Sequence, residues 1–195
     1  RDIFLNNRDY VRFIDDLIVF NDKEPIVNPK QRLVDIKSNT HKRDALVDIL
    51  AFCLMPNHYH LLLRQKVDNG ITDFMRKLGS GYVNYFNIKY RRVGTLFQGK
   101  FKSVLVGNEA QFLYIPLYIH LNPLDLLFPS WKEKGIKDRK KAINFLDGYR
   151  WSSHSNYRGK TNFPLLLEES ILKESFGDEA SYSSEIYNFI NDFNF

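Results

Sequence analysis

His58 and His60 open the run His-Tyr-His-Leu-Leu-Leu-Arg-Gln at residues 58–65, which reads as a strand. Alternation on a strand sends side chains i and i+2 to one face, so two imidazoles would stand side by side. That geometry suits two ligands on one divalent metal, and it equally suits two partly buried, hydrogen-bonded histidines. Tyr118 and Asn122 lie four apart in a run that reads as helix and so share a face. Each also has a plain structural reading, Tyr118 as one of 11 tyrosines and Asn122 as a helix cap before Pro123. A third feature is the stretch 76–102, which holds Arg76, Lys77, Lys89, Arg91, Arg92, Lys100 and Lys102 and no acidic residue. Tyr82, Tyr85, Phe86, Tyr90, Phe97 and Phe101 are interleaved with them. Cations for phosphates and aromatic faces for unpaired bases are what single-stranded nucleic acid requires. Several of these aromatics also fall on a helix stripe that reads as core, which makes the cations the firmer signal.

The elements that must position these residues follow from periodicity. Residues 9–20 carry apolar side chains at helical spacing, and 21–44, with Pro25 and Pro29, reads mainly as loop. Residues 45–55 read as a buried strand, Pro56-Asn57 as a turn, and 58–65 as a second, antiparallel strand. A long helix is expected over 71–91, weakened at Gly79 and Gly81 by about 1 kcal/mol each relative to Ala. Weak alternation over 100–107 predicts a third strand, and Asn108 with Gln111 forms a capping-box pattern for the next helix. Pro116 removes one hydrogen bond from that helix and predicts a kink, and Pro123 predicts its end near Asn122. Residues 128–141 read as a charged connector. A last helix over 180–193 is expected to bury Ile186, Phe189, Ile190 and Phe193. Helices mixed with hairpin strands argue for an α+β fold with an antiparallel sheet.

Composition sets the outer bounds. In 195 residues, 44% hydrophobic, there is enough apolar surface for a core, which excludes a largely disordered chain. One cysteine, Cys53, excludes an internal disulfide framework and points to a reducing compartment. The most apolar run, 45–55, is too short to span a bilayer, and no basic-then-apolar leader opens the sequence. The net charge of +5 is uneven, because residues 167–195 carry seven acidic side chains against Lys173 alone. The basic remainder is suited to a polyanion.

Three segments in this order, Leu54-Met-Pro-Asn-His-Tyr-His-Leu-Leu-Leu63, Gly94-Thr-Leu-Phe-Gln-Gly-Lys-Phe-Lys102 and Tyr118-Ile-His-Leu-Asn-Pro123, resemble the IS200-like, or Y1, transposases. Within that family the likeness is to the REP-associated tyrosine transposases. Tyr149-Arg-Trp-Ser-Ser153 with Tyr157 and Gly159, and then Phe176-Gly-Asp-Glu179, resemble the family's downstream segments. The resemblance implies a ferredoxin-like α+β fold of the HUH endonuclease type, with the His-x-His strand in the middle of the sheet. It implies a Y1 transposase-like catalytic domain over 1–128 and a connector with a C-terminal helical extension over 129–195. His58 and His60 match metal ligands for Mg2+ or Mn2+, Asn122 a polar third ligand, and Tyr118 the nucleophile. The implied activity is cleavage and rejoining of single-stranded DNA, often beside a hairpin. The partners expected are such DNA and a second copy of the chain, in the bacterial cytoplasm near the nucleoid. Arg91, Arg92, Lys100 and Lys102 are the expected phosphate contacts. Two departures stand out: relatives carry a strand ahead of the segment matching Arg1-Asp-Ile-Phe4, so one is expected to precede this sequence, and Pro116 is unusual for the family.

The residue types fit that reaction. A cation on the scissile phosphate offsets the charge that repels a nucleophile, and neutral imidazole and amide donors leave its charge intact. A phenol, with a reference pKa of about 10, leaves far more readily than an alkoxide, so a phosphotyrosine can be displaced by a DNA hydroxyl. Bond energy stays in the ester, consistent with the lack of a Walker-type phosphate loop. Two other readings compete. A non-catalytic DNA-binding protein would share the basic stretch without needing Tyr118 or the histidines. A metallohydrolase would use His58, His60 and His120 with a bound water.

Overall fold

A computed structural model describes residues 1–192 as an α+β fold with one antiparallel hairpin and ten helices. The order is α1 (Asn7–Val19), α2 (Pro29–Lys37), β1 (Val47–Met55), β2 (His58–Gln65) and α3 (Gly70–Lys89). There follow α4 (Glu109–Leu121), α5 (Leu124–Leu127), α6 (Trp131–Lys134), α7 (Arg139–Gly148), α8 (His154–Tyr157), α9 (Ser170–Phe176) and α10 (Glu179–Asp192). The described residues form two compact units, one of residues 1–48 and 63–104, the other of 49–62 and 105–192. Among the described residues no helix is long and apolar enough to cross a membrane.

In the first unit α1 begins at Asn6, whose side chain accepts from the Arg8 amide while the Asp9 carboxylate accepts from Asn6. Its apolar face packs against α2 and α3, with Phe13 edge-on to Tyr82 at 4.9 Å. The Phe20 ring fills the place a Cβ on Gly81 would take, so the helix-weakening glycine is what admits the ring. Asn21 latches the start of β1, accepting from the Leu46 and Val47 amides at 3.0 Å each. The stretch read mainly as loop contains α2, capped by Asn28 and opened by Pro29. Only Ile36 of that helix is buried, so it offers no apolar period to read.

One buried charge in α1 gives a pH-dependent expectation. Asp16 is 1% exposed and one carboxylate oxygen accepts from Arg12 at 2.9 Å, while the other has no hydrogen-bond partner. Burial pushes its carboxyl up to about 6, against the opposing pull of Arg12. Because the folded value lies above the unfolded one, the group favours folding at acidic pH, and that contribution is lost as pH rises from about 4 to about 6. Asp16→Asn is therefore expected to raise stability at pH 8 by about 1–2 kcal/mol and to change it little at pH 4. Melting temperatures of both proteins at the two pH values check this, and a gain of equal size at pH 4 would contradict it.

In the second unit the core gathers Leu50, Cys53, Met55, Leu121, Leu146, Leu172, Tyr182 and Ile190 around β1 and the helices that follow. One edge of β1 pairs with β2. Its other edge takes the backbone of Trp151–Ser153: the Leu54 amide donates to Trp151 at 2.8 Å, and the Ser153 amide donates to Phe52 at 3.0 Å. Tyr149 and Tyr157 reinforce this edge through hydroxyls that donate to the Leu54 and Leu50 carbonyls at 2.7 and 2.6 Å. The Tyr-Arg-Trp-Ser-Ser segment thus occupies the free edge of the hairpin.

The third strand expected over 100–107 does not form. That segment has no ladder partner among the described residues, and Val104 and Leu105 are exposed. Alternation alone makes no strand, because backbone donors and acceptors need a facing edge. Among the described residues the His-x-His strand accordingly has one paired edge and does not lie mid-sheet.

α4 is capped by Asn108, which accepts from the Gln111 amide at 2.9 Å, while Gln111 reaches back to the Gly107 amide. It runs as one helix through Pro116 to Leu121. As expected, the helix ends here, with Asn122 as its C-cap; Asn122 (φ −52°, ψ −35°) and Pro123 nevertheless keep helical dihedrals and lead into α5. Proline's clash with the preceding residue is a preference, and here an Asn122 side-chain bond to the Tyr118 carbonyl at 2.8 Å supports the helical turn. The charged connector also has structure, being anchored by Trp131 of α6, which is fully buried. α10 buries Ile186, Phe189 and Ile190 as expected; Phe193 lies outside the described residues.

Candidate active site

β2 holds His58 and His60 on one face, with their Nε2 atoms 3.1 Å apart and their rings at 87°. The Nδ1 of His58 is 2.7 Å from Asn57 Oδ1, an oxygen that only accepts. His58 therefore carries its proton on Nδ1 and aims a lone pair from Nε2 toward His60. Two imidazole nitrogens each about 2.1 Å from one cation, at right angles, lie about 3 Å apart, so this pair fits a shared divalent ion. Desolvation favours the neutral ring in both: the His58 pKa is lowered, and that of the half-buried His60 falls to about 4, with His58 and Lys132 adding to the effect. Neutral imidazole is the ligating form.

α4 brings Tyr118 to this pair, its ring centroid 6.3 Å from that of His60 and the planes at 82°. Tyr114, one turn earlier, stacks on the Tyr118 ring at 6.1 Å. Lys132 of α6 donates to the Tyr118 hydroxyl at 3.3 Å and lies 5.0 Å from its ring centroid. Asp125 of α5 holds Lys132 at 3.2 Å and accepts from the Trp131 indole at 2.7 Å. Burial works against the Lys132 charge, but the bonds to Tyr118 and Asp125 outweigh it and its pKa is raised. Neither Lys132 nor Asp125 is among the residues expected from the sequence.

Asn122 sits one turn beyond Tyr118 at 2% exposure. Its amide nitrogen donates to the Tyr118 carbonyl, so it ties the turn that carries the phenol, and its Oδ1 is the atom left as a potential donor to a metal. Among the described residues no three His, Cys, Asp or Glu side chains are grouped to hold a metal, and a third ligand must come from another residue type or from water.

His120 faces away from this pocket. It is fully buried, with Nε2 2.6 Å from Ser153 Oγ and Nδ1 2.8 Å from the Tyr182 hydroxyl. Tyr182 in turn contacts His154 Nδ1 at 2.8 Å, and His154 Nε2 reaches Asp147 at 3.1 Å. Asp147 only accepts, so His154 carries its proton on Nε2, Tyr182 donates to His154, and His120 donates to Tyr182. With both nitrogens engaged, His120 is not a third ligand beside His58 and His60. Cys53 is buried, and burial raises its thiol pKa, as suits an inert core cysteine.

The four expected phosphate contacts belong to the other unit. Arg91, Lys100 and Lys102 are exposed, whereas Arg92 is half-buried with its guanidinium 5.6 Å from the Phe86 ring centroid. Of the interleaved aromatics, Tyr82 and Phe86 are core, Tyr85 and Tyr90 donate to Asp9, and Phe101 is exposed.

A family model described as transposase IS200 like matches residues 18–122, more than half of the chain. No curated protein and no solved structure matches it.

Proposed function

The chain belongs to the IS200-like transposase family, and on that premise we propose that it is a metal-dependent endonuclease and strand transferase for single-stranded DNA. It acts through a 5′-phosphotyrosine on Tyr118. The observation that carries this reading is the Tyr118 ring beside His60, on the face where the Nε2 atoms of two imidazoles converge.

His58 and His60 hold a divalent ion, Mg2+ or Mn2+, with Asn122 Oδ1 as third protein donor; two imidazoles favour the softer Mn2+. Bound there, the ion offsets negative charge on the scissile phosphate. Tyr118 supplies the nucleophile: its phenol loses a proton, its oxygen bonds to phosphorus, and the bond to the 3′ oxygen breaks. The phenolate is a good leaving group when a DNA 3′-hydroxyl later attacks. Arg91, Arg92, Lys100 and Lys102 contact the DNA backbone.

Within the family the chain is of the REP-associated kind and acts on DNA with a hairpin, as a dimer, in the bacterial cytoplasm. Residues 1–128 carry its Y1 transposase-like part, of the HUH type, and 129–195 form a connector and C-terminal helical extension.

Incubation with Mn2+ and labelled single-stranded hairpin oligonucleotides, followed by a denaturing gel, tests the reading. The expected result is DNA that migrates with the protein after denaturation. Bound but uncut DNA would point instead to a binder that keeps only the fold, and cut but unattached DNA to hydrolysis by water.

A further inference from the structure

We propose that Lys132 is a further catalytic residue, whose ammonium stabilises the Tyr118 oxygen as it gains and sheds charge in cleavage and rejoining. The proposal rests on the reading of Tyr118 as nucleophile. A hydrogen bond of 3.3 Å brings this ammonium to that oxygen, and two further contacts keep it there: it lies 5.0 Å from the same ring centroid, and it donates to Asp125 at 3.2 Å. The buried Trp131 anchors the short helix that presents it, and Lys132 also lies 5.4 Å from that indole. A surface lysine held only by a carboxylate would need no aromatic on either side. This one lies near the Tyr118 and Trp131 rings and donates to the phenol oxygen.

The chemistry gives the cation work in both directions. In cleavage the phenol proton passes to solvent, the tyrosine oxygen forms the bond to phosphorus, and the 3′ oxygen departs with its electron pair and takes a proton from water. Rejoining reverses this, with the phenolate leaving. In both transition states the tyrosine oxygen carries partial negative charge, and a cation already in place needs no reorganisation to meet it. Asp125 is a positioning residue, because it acts through Lys132.

Lys132→Met keeps the length and removes the charge, and Lys132→Arg keeps the charge. Single-turnover cleavage and rejoining should each slow by about 10- to 100-fold in the Met variant, with DNA affinity unchanged and substantial rescue by Arg. A fluorinated tyrosine of lower phenol pKa, installed at position 118, should shrink the Met defect, since a better-stabilised phenolate needs the cation less. A merely structural lysine would leave that defect the same size. Cleavage and rejoining at the normal rate in Lys132→Met, or a defect indifferent to fluorination, would overturn the role of Lys132 alone. Absence of covalent product from the unaltered protein would instead remove the reading of Tyr118 beneath it.

Discussion

Tyr118→Phe yields no covalent protein–DNA product under any metal condition, while binding the same oligonucleotide about as well as the unaltered chain. The substitution deletes one atom, the oxygen that would bond to phosphorus, so the adduct has no route to form. Its structural consequence is small. The ring keeps its place beside His60 and Tyr114, and what disappears is a single 3.3 Å bond from a partly exposed lysine. Bonds of that kind contribute on the order of 1 kcal/mol or less, so the variant stays folded. This makes the experiment discriminating. Loss of adduct together with loss of all nicking assigns the attack to Tyr118. Nicking that survives at full rate assigns it to water, and the phenol becomes one more core aromatic. An adduct that persists moves the nucleophile elsewhere, with Tyr114, stacked on the same ring, the nearest candidate.

Much of this site is legible in the chain before any coordinates. The His-x-His pair reads correctly because strand alternation is strict: given β2, two imidazoles on one face follow. Tyr118 and Asn122 read correctly as helical neighbours for the same kind of reason. What sequence reasoning loses is everything just past Pro123. The helix ends at Asn122 as read, but spacing does not show that the next short helix, α5, sets Asp125 against Lys132 and Trp131. Lys132 is hidden more deeply, because a four-residue helix has too few positions to show a period. The available signal is Trp131, the largest of the few apolar side chains in a charged connector, which is more readily explained as a buried anchor than as a surface residue. Asn57 was likewise visible as a turn former, but its second role, fixing the His58 tautomer, depends on a side-chain direction that spacing does not encode. The missing third strand fails for another reason. Strand formation depends on an opposing edge as much as on the segment's own residues, and 100–107 carries only half of that information. The converse holds for Trp151–Ser153, which has no strand-like pattern and still bridges β1, because an edge is there to receive it.

Replacing the histidines should separate metal binding from chemistry. His58→Ala and His60→Ala are each expected to weaken Mn2+ binding by about 100-fold or more, read by electron paramagnetic resonance of free Mn2+ or by calorimetry, without any turnover. Covalent DNA product should fall in parallel. The argument is one of donor count. Among the described residues no cluster of three His, Cys, Asp or Glu can substitute, so removing one of two converging nitrogens leaves one imidazole, the weak Asn122 amide oxygen and water. Asn57→Ala supplies the graded control. Its partner keeps the His58 proton on Nδ1, and its removal lets the ring take the other tautomer, blocking Nε2 in part of the population. A loss of about tenfold or somewhat more is expected there, smaller than for either histidine. The order matters as much as the sizes. If the pair merely hydrogen-bonds to itself, all three variants bind Mn2+ as the unaltered chain does, and the 3.1 Å approach of the two nitrogens is an ordinary donor–acceptor contact. If Asn57→Ala alone is without effect, the imidazoles still hold the ion and the tautomer is set by the metal itself. Only the graded series, with both histidines severe and Asn57 intermediate, fits a site in which the turn at the tip of the hairpin orients a ligand before the ion arrives.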